Sequence, residues 1–294
     1  MKIKQLTASD RFFDIFIFIL SIVLLFIIAY PLWFVIIASF SNAYQVNLGK
    51  VWLWPSGFNL LGYERVFADP RVWLGYRNTI FYTVLGTFIS LSVILPAAYA
   101  LSRKDLKGRN PIMMYFVFTM FFSGGLIPTY LTVRNFGLLN TVWVLVVPFS
   151  VSVYNIIISR TFFASTIPQE LLEASKIDGC SDARFFVSVV LPLSSAIIAV
   201  LSLYCAVGHW NQFFLSLIYV RNQALVPLQM VLRDILLENR AYSDYVSDAS
   251  GDWAAIVEMM KYSLIIVATV PVMCIYPFIQ KYFTKGVMIG AVKG

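Results

Sequence analysis

The feature that most limits what this chain can fold into is a series of long apolar runs. The first extends from Phe12 to Ala38, and five more follow: Thr79–Leu101, Ile112–Thr132, Thr141–Phe162, Val187–Gly208 and Tyr262–Tyr282. A hydrocarbon core of about 30 Å takes about 20 helical residues to cross. Without water to pair with it, the backbone must satisfy its own hydrogen bonds, and a helix does so within one segment. Apolar residues make up 60% of the sequence and charged residues 13%, where a soluble domain carries about 25% charged residues. The expected fold class is all-α: an integral membrane protein with about six transmembrane helices, forming a single transmembrane domain over residues 1–294.

The first run is too long for a signal-peptide core and lacks a small-residue cleavage site, so it reads as an uncleaved helix. Orientation follows from Lys and Arg. Lys2, Lys4 and Arg11 precede the first run, and Arg103, Lys104, Lys107 and Arg109 crowd the short loop between the second and third. Lys281, Lys285 and Lys293 stand at the C-terminal end. The positive-inside rule puts these three segments, and so both termini, in the cytoplasm. The net charge of +7 then belongs to cytoplasmic loops and anionic headgroups. No basic cluster sits on a soluble module, so nucleic acid is not expected as a partner.

Chemistry is sparse. Away from their ends the runs hold no Asp, Glu, Lys, Arg or His, whereas proton-coupled carriers and pumps need ionisable groups at membrane depth. There is no GxxxxGK[ST] phosphate loop, so uphill transport would need energy from a partner. Cys180, Cys205 and Cys274 form no CxxC pair, and neither a disulfide framework nor a metal site is implied. His209 is the only histidine; without partners at ligand spacing it reads as a hydrogen-bonding interfacial residue. Trp33, Trp52, Trp54, Trp73, Trp143 and Trp210 read as belt anchors.

Several prolines lie inside the runs: Pro31, Pro96, Pro128, Pro148, Pro192, Pro271 and Pro277. Gly124 and Gly125 precede Pro128, which fits either close helix packing or an unwound stretch lining a path. The long segments at about 40–78 and 209–261 fall outside the cell by this topology. Within the second, Leu225–Leu237 has apolar residues at helical spacing, predicting an amphipathic helix. The polar stretch Glu238–Asp252, with Tyr242 and Tyr245, follows it as a turn-rich loop.

The richest segment runs from Ser165 to Gly179. Thr166 and Gln169 fit a capping box with Pro168 in the first turn. Gly179 suits a helix stop, and Ser181-Asp182 a cap for the next helix. Glu170, Glu173 and Ile177 share one side of the predicted helix. A mixed acidic and apolar face suits docking to a soluble partner; an ordinary solvated interfacial helix fits the same pattern.

Glu173-Ala174-Ser175, then Gly179 after three intervening residues, and Val189-x-Leu191-Pro192 after nine more resemble the EAA motif of binding-protein-dependent ABC importers. Ser175 stands where the family has its second Ala, and Val189 where it has Ile. Trp210-Asn211-Gln212-Phe213 resembles the WNxF pattern of carbohydrate permeases, and Lys285–Gly294 the Gly-rich tail of maltose-permease G-type subunits. Gly124–Tyr130 and Tyr276–Phe283 fit the LplC/YtcP type of oligosaccharide permease, alginate-importer subunits among them.

This resemblance implies a six-span (MetI-like) permease that forms half of a translocation pore and is not itself an enzyme. It belongs in a bacterial cytoplasmic (inner) membrane among lipid. The implied partners are a second permease, two ATPase subunits carrying ATP and Mg, an extracytoplasmic solute-binding protein and a carbohydrate. No cofactor is bound by this chain. The EAA segment, residues 163–186, would be the coupling helix seated on the ATPase, with Glu170, Glu173, Ala174, Ser175, Asp178 and Gly179 at the contact. Lys285, Gly286, Val292, Lys293 and Gly294 of the tail (284–294) would also reach the ATPase. Asn239, Tyr242, Tyr245 and Ser250 would meet the binding protein, and Gly124, Gly125 and Asn211 would line the path. Sugar binding would lie mostly on the partner permease. Two other readings are a permease of the same fold for peptide or another solute, and an intramembrane enzyme, for which the runs supply no charged acid or base. Which sugar is carried does not follow from the sequence. Arg65, Arg71, Arg77, Arg221, Arg233 and Arg240 on the outer segments leave an acidic one open.

Overall fold

The computed structural model of the protein describes residues 8–245, 257, 259–275 and 277, with side chains from residue 11 to 239 and over the later stretch. The tail residues Lys285, Gly286, Val292, Lys293 and Gly294 lie outside the described residues, as do Ser250 and the side chains of Tyr242 and Tyr245. Among the described residues every regular element is a helix. They divide into two units: one from Met1–Asp69 with Asp234–Thr269, the other from Pro70–Arg233 with Val270–Gly294.

In the first unit α1 (Ala8–Ser39) is 32 residues long and apolar all round. Its side chains are exposed on every face until the last turns, as a helix surrounded by lipid requires. Short helices α2 (Ala43–Asn47) and α3 (Leu61–Ala68) follow. The Asn42 side chain caps α2 by accepting from the Tyr44 N–H. The Tyr63 hydroxyl donates to Ser39 Oγ at 2.7 Å, tying α3 to the end of α1.

The second unit is built on α4 (Pro70–Ser102), 33 residues long. After it come α5 (Arg109–Phe121), α6 (Leu126–Asn135), α7 (Trp143–Val146), α8 (Val153–Thr166) and α9 (Gln169–Ile177). The chain continues through α10 (Asp182–Phe185), a π-helical turn at Phe186–Val190, α11 (Leu191–Leu193), α12 (Ser195–Trp210) and α13 (Phe214–Tyr219). The next helix, α14 (Leu228–Tyr245), and the final described one, α15 (Met259–Ile275), run across the division between the units. The core joins Ile94, Ala98 and Leu101 of α4 to Ile156 and Phe163 of α8 and to Leu201 of α12.

The apolar runs are not all single helices. Among the described residues, Arg11–Ser39 and Pro70–Ser102 are long and apolar enough to cross a bilayer, and counting each bent pair as one span gives up to four spans. The run over 112–132 breaks between α5 and α6, which meet at 114° across Ser123-Gly124-Gly125. The run over 141–162 breaks at residues 147–152, around Pro148. The run over 187–208 bends by 84° at Ser194. Each break sits beside glycine or proline, the residues that weaken or interrupt a helix ladder. Pro192 has no N–H for the carbonyl four residues back, and the turn before it widens to π geometry.

The segment over 209–261 is more helical, where described, than its polar sequence indicates. The amphipathic helix expected over 225–237 begins at Leu228 and continues to Tyr245, through residues assigned above to a loop. Leu228, Val231, Leu232 and Ile235 are buried on one stripe, and Asn239 Nδ2 donates back to the Ile235 carbonyl at 2.7 Å. Glu238, Arg240 and Ala241 are good helix formers. The start of α14 is pinned to α4: Thr79 Oγ1 accepts from the Leu228 N–H at 2.8 Å, and the Tyr82 hydroxyl donates to the Leu225 carbonyl at 2.9 Å.

His209 is buried within the protein. It is 8% exposed, inside the crossing of α4 and α12, with Nε2 at 3.5 Å from Ser90 Oγ. Trp210 is likewise buried, unlike the exposed Trp52, Trp54, Trp73 and Trp143. The crossing closes because residue 86 is glycine: a Cβ there would stand 2.5 Å from the His209 ring. Gly86→Val should therefore cost about 1–3 kcal/mol through overpacking. It should lower the thermal midpoint of the purified complex, and His209→Ala in the same chain should recover part of the loss. An unchanged midpoint for Gly86→Val would show that this contact does not set the crossing.

Candidate functional site: the α9 platform

The α9 helix has no buried residue. It is held at its back by half-buried Leu172 and by Ile167 before it, which pack against the core of the second unit. Glu170, Glu173, Ala174 and Ile177 follow one another at three- and four-residue spacing and are all exposed. Ile177 is 87% exposed, the most of any large apolar side chain described. An acidic stripe ending in a bare isoleucine is thus presented outward.

The two ends of α9 are made differently. The Thr166–Gln169 capping box does not form, because α8 runs on through Thr166 and leaves Pro168, in extended conformation, as the N-cap. Gln169 Nε2 instead donates along the stripe to Glu173 Oε1 at 2.9 Å. The C-terminal end is a Schellman stop: the Cys180 N–H donates to the Ser175 carbonyl at 2.9 Å, and the Gly179 N–H to the Lys176 carbonyl at 3.1 Å. This closure needs Gly179 at φ +73°, where a Cβ is disfavoured. Asp178 is the C-cap residue. Ser181 Oγ then accepts from the Arg184 N–H at 3.3 Å and starts α10.

A charge cluster that the sequence did not single out fixes this platform. Arg103, just past the end of α4, has a side chain 14% exposed. Its Nε donates to Asp105 Oδ1 at 2.9 Å and its Nη1 to Asp182 Oδ1 at 2.6 Å. Nη2 pairs with the second Asp105 oxygen, making that contact bidentate. Lys176 of α9 closes the set, with Nζ 3.6 Å from Asp105 Oδ2. The guanidinium also lies 6.0 Å from the Tyr99 ring centre. One arginine thus joins the end of α4 to the start of α10, and its partner Asp105 reaches α9. The basic loop reads from sequence as an orientation signal only, and Arg103 and Asp182 are 79 residues apart.

The hydrogen bonds from Arg103 pull the Asp105 carboxyl down to about 2, and Asp105 in turn raises the Arg103 pKa. A depressed carboxyl stabilises the fold above its ordinary value of 3.8 and loses that contribution as pH falls through about 2. The Arg103–Asp105 pair therefore stays charged throughout the neutral range. Beside it opens a cavity of about 490 Å³, bounded by Arg103, Phe163, Pro168, Leu172, Glu173 and Lys176.

The other predicted residues do not join this site. Gly124 and Gly125 are exposed in the break between α5 and α6. A Cβ at Gly125 would meet nothing within 4 Å, so this break is not a close helix contact within the chain. Asn211 is exposed as the C-cap of α12, and Asn239 lies on α14.

Residues 72–289 match the family described as "Binding-protein-dependent transport system inner membrane component". Over 286 residues the chain is 39% identical to a polygalacturonan/rhamnogalacturonan transport system permease, YtcP, of Bacillus subtilis, covering 97% of this chain and all (100%) of that one. It is also 39% identical over 267 residues to the LplC protein of the same organism, covering 90% of this chain and 89% of that one. A crystal structure of a bacterial ABC transporter involved in the import of the acidic polysaccharide alginate contains a chain 32% identical to this one. The two superpose with a TM-score of 0.83 over 94% of this chain and 98% of that chain. The protein therefore belongs to the binding-protein-dependent transport family of inner-membrane permeases. Its fold is the all-helical MetI-like ABC importer permease fold, and members of this family are transport subunits rather than enzymes.

The Arg103 cluster yields a thermodynamic test. Hydrogen bonds to charged groups contribute about 1.5–3 kcal/mol when shielded, but Asp105 and Asp182 are 50% and 62% exposed, which reduces each pair to about 1 kcal/mol. A double-mutant cycle on Arg103→Ala and Asp182→Ala, read by thermal unfolding of the purified complex, should give a coupling of about that size. Additive effects would mean that Arg103 does not hold α10.

Proposed function

We propose that this chain forms half of the membrane pore of an ATP-driven importer that takes oligosaccharide from a solute-binding protein. A second, related permease completes the pore, and two ATPase subunits holding ATP and Mg supply the energy. Family membership supports the importer class, and the named substrates of its relatives, pectic polysaccharides and alginate, support a saccharide cargo. Both termini and α9 face the cytoplasm in this reading, because the Arg103–Arg109 loop that holds α9 is rich in Lys and Arg.

The observation that carries the reading is the outward stripe of α9. Its backbone is closed at Gly179, its back is packed on the core, and its last turn reaches the Arg103 cluster through Lys176 and Asp105. A helix fixed at the back and bare in front can seat in a partner and carry that partner's movement into α4 and α10. Glu173 is the residue that meets a basic side chain of the ATPase, with Glu170, Ala174, Ser175 and Asp178 around it. The tail (284–294) adds a second ATPase contact, and residues 239–250 meet the binding protein.

Glu173→Ala should leave the chain inserted and assembled but reduce saccharide uptake in reconstituted vesicles about tenfold, the effect of losing about 1.4 kcal/mol from a charged hydrogen bond. Gly179→Val should reduce it further by straining the helix stop. Wild-type uptake by an assembled Glu173→Ala complex would remove the coupling role from this residue.

A further inference from the structure

A second cavity lies within the same unit, away from α9. Its volume is about 220 Å³, below the roughly 300–1,000 Å³ usual for drug-sized ligands. Ser90 of α4 is part of its wall. Ser90 precedes Arg103 by 13 residues, which at helical rise is about 20 Å along α4. The cavity therefore belongs to the middle reach of α4 and is distinct from the α9 platform.

The wall is made where a helix stops. Phe149, Ser150 and Ser152 come from the non-helical stretch between α7 and α8. Irregular backbone at membrane depth is tolerated only where protein buries it or where it lines a polar cavity. Ser150 Oγ donates to the Val147 carbonyl at 2.8 Å, satisfying one group that the break frees. Broken helices of this kind are where transporters form substrate sites.

The polar groups in the wall are underused. Gln212 Nε2 is buried and has no hydrogen-bond partner among the described residues. Asn155, 7% exposed, donates to Cys205 Sγ at 3.8 Å, and a thiol sulfur is a weak acceptor. Buried donors without good acceptors are costly, and a ligand rich in oxygen acceptors would relieve that cost. The rim is aromatic: Phe149 and Tyr204 are 43% and 47% exposed. Amide donors beneath exposed rings match a sugar, whose hydroxyl and ring oxygens accept hydrogen bonds while its C–H face packs on an aromatic ring. No Asp, Glu, Lys or Arg lines the cavity, and its one imidazole, His209, is buried beside Ser90.

We propose that this cavity is a saccharide subsite on this chain's own half of the pore, holding one sugar ring of a passing oligosaccharide through its hydroxyl and ring oxygens. The proposal rests on the saccharide-import reading and deepens it, since the family resemblance puts sugar binding mostly on the partner permease. With no charged side chain in the wall, the subsite grips the hydroxyl pattern and not a carboxylate, so neutral and acidic rings are held alike.

The test uses the full complex with its partner permease, ATPases and binding protein in vesicles. The probes are oligogalacturonides and the same oligomers with their carboxyl groups reduced to alcohols. Ser152→Cys places a thiol on the exposed edge of the cavity, and its labelling by a water-soluble maleimide during turnover is read by mass spectrometry. Both probes should slow that labelling at least threefold. Gln212→Leu and Tyr204→Ala, the latter at an exposed position that leaves the core intact, should each cut uptake of both probes about tenfold in complexes that still assemble. If the complex imports the probes but neither protects position 152, or if both variants import normally, the subsite is wrong and the importer reading stands. Protection by the acidic probe alone would overturn the claim that hydroxyls are what is read. If the assembled unmodified complex imports no saccharide of either kind, the saccharide reading itself fails, and the subsite with it.

Discussion

Inside a bilayer a peptide group has no water to turn to, and every N–H and C=O must find a partner within the protein. That constraint explains both the continuous helices of this chain and where the others are broken. The α1 and α4 helices satisfy their backbones along 32 and 33 residues, even with a proline inside each. Where glycine or proline interrupts a ladder, the chain finds local substitutes. Ser123 Oγ accepts from the Gly125 N–H at 3.2 Å, Thr129 Oγ1 donates to the Gly125 carbonyl at 2.7 Å, and Ser150 does the same for Val147 at 2.8 Å. The breaks gather polar groups within apolar stretches, which an unbroken apolar helix cannot do, and the small cavity beside α7 and α8 is one outcome.

The same unit holds α9 in place without burying any of its residues. Apolar packing at Ile167 and Leu172, a Schellman closure at Gly179 and the Arg103 cluster each hold it from a different side. Arg103 suits this place because its planar fork serves two carboxylates at once, a geometry that lysine cannot reproduce. Because Asp105 stays ionised far below neutral pH, its pairing with Arg103 is not lost to titration at physiological pH. A stiff connection from α9 to α4 is what a helix that transmits force requires.

Much of this was legible in the sequence because it depends on local pattern. Hydropathy located the apolar runs, and Glu173, Gly179 and Leu191-Pro192 carried the family resemblance that the comparisons then established. The Ser181 cap and Gly179 stop are readable because their partners lie within a few residues. What the sequence hid depends on distance. Arg103 and Asp182 meet across 79 positions, and Ser90 and His209 across 119, with Gly86 one turn before Ser90 against the same ring. Helix breaks were only half visible: Gly124-Gly125 left packing and unwinding both open, and the residues around Pro148 gave no hint that they would line a cavity. The extension of α14 to Tyr245 was missed because its polar residues look like a loop, yet they are adequate helix formers once the apolar stripe is anchored.

The central claim is that the outward face of α9 is covered by an ATPase subunit in the working complex. Ile177, 87% exposed in the chain by itself, is the most sensitive reporter. An Ile177→Cys permease pair should react readily with a water-soluble maleimide when purified without its ATPase and should be protected at least tenfold in the assembled complex. Equal labelling rates with and without the ATPase would contradict the account.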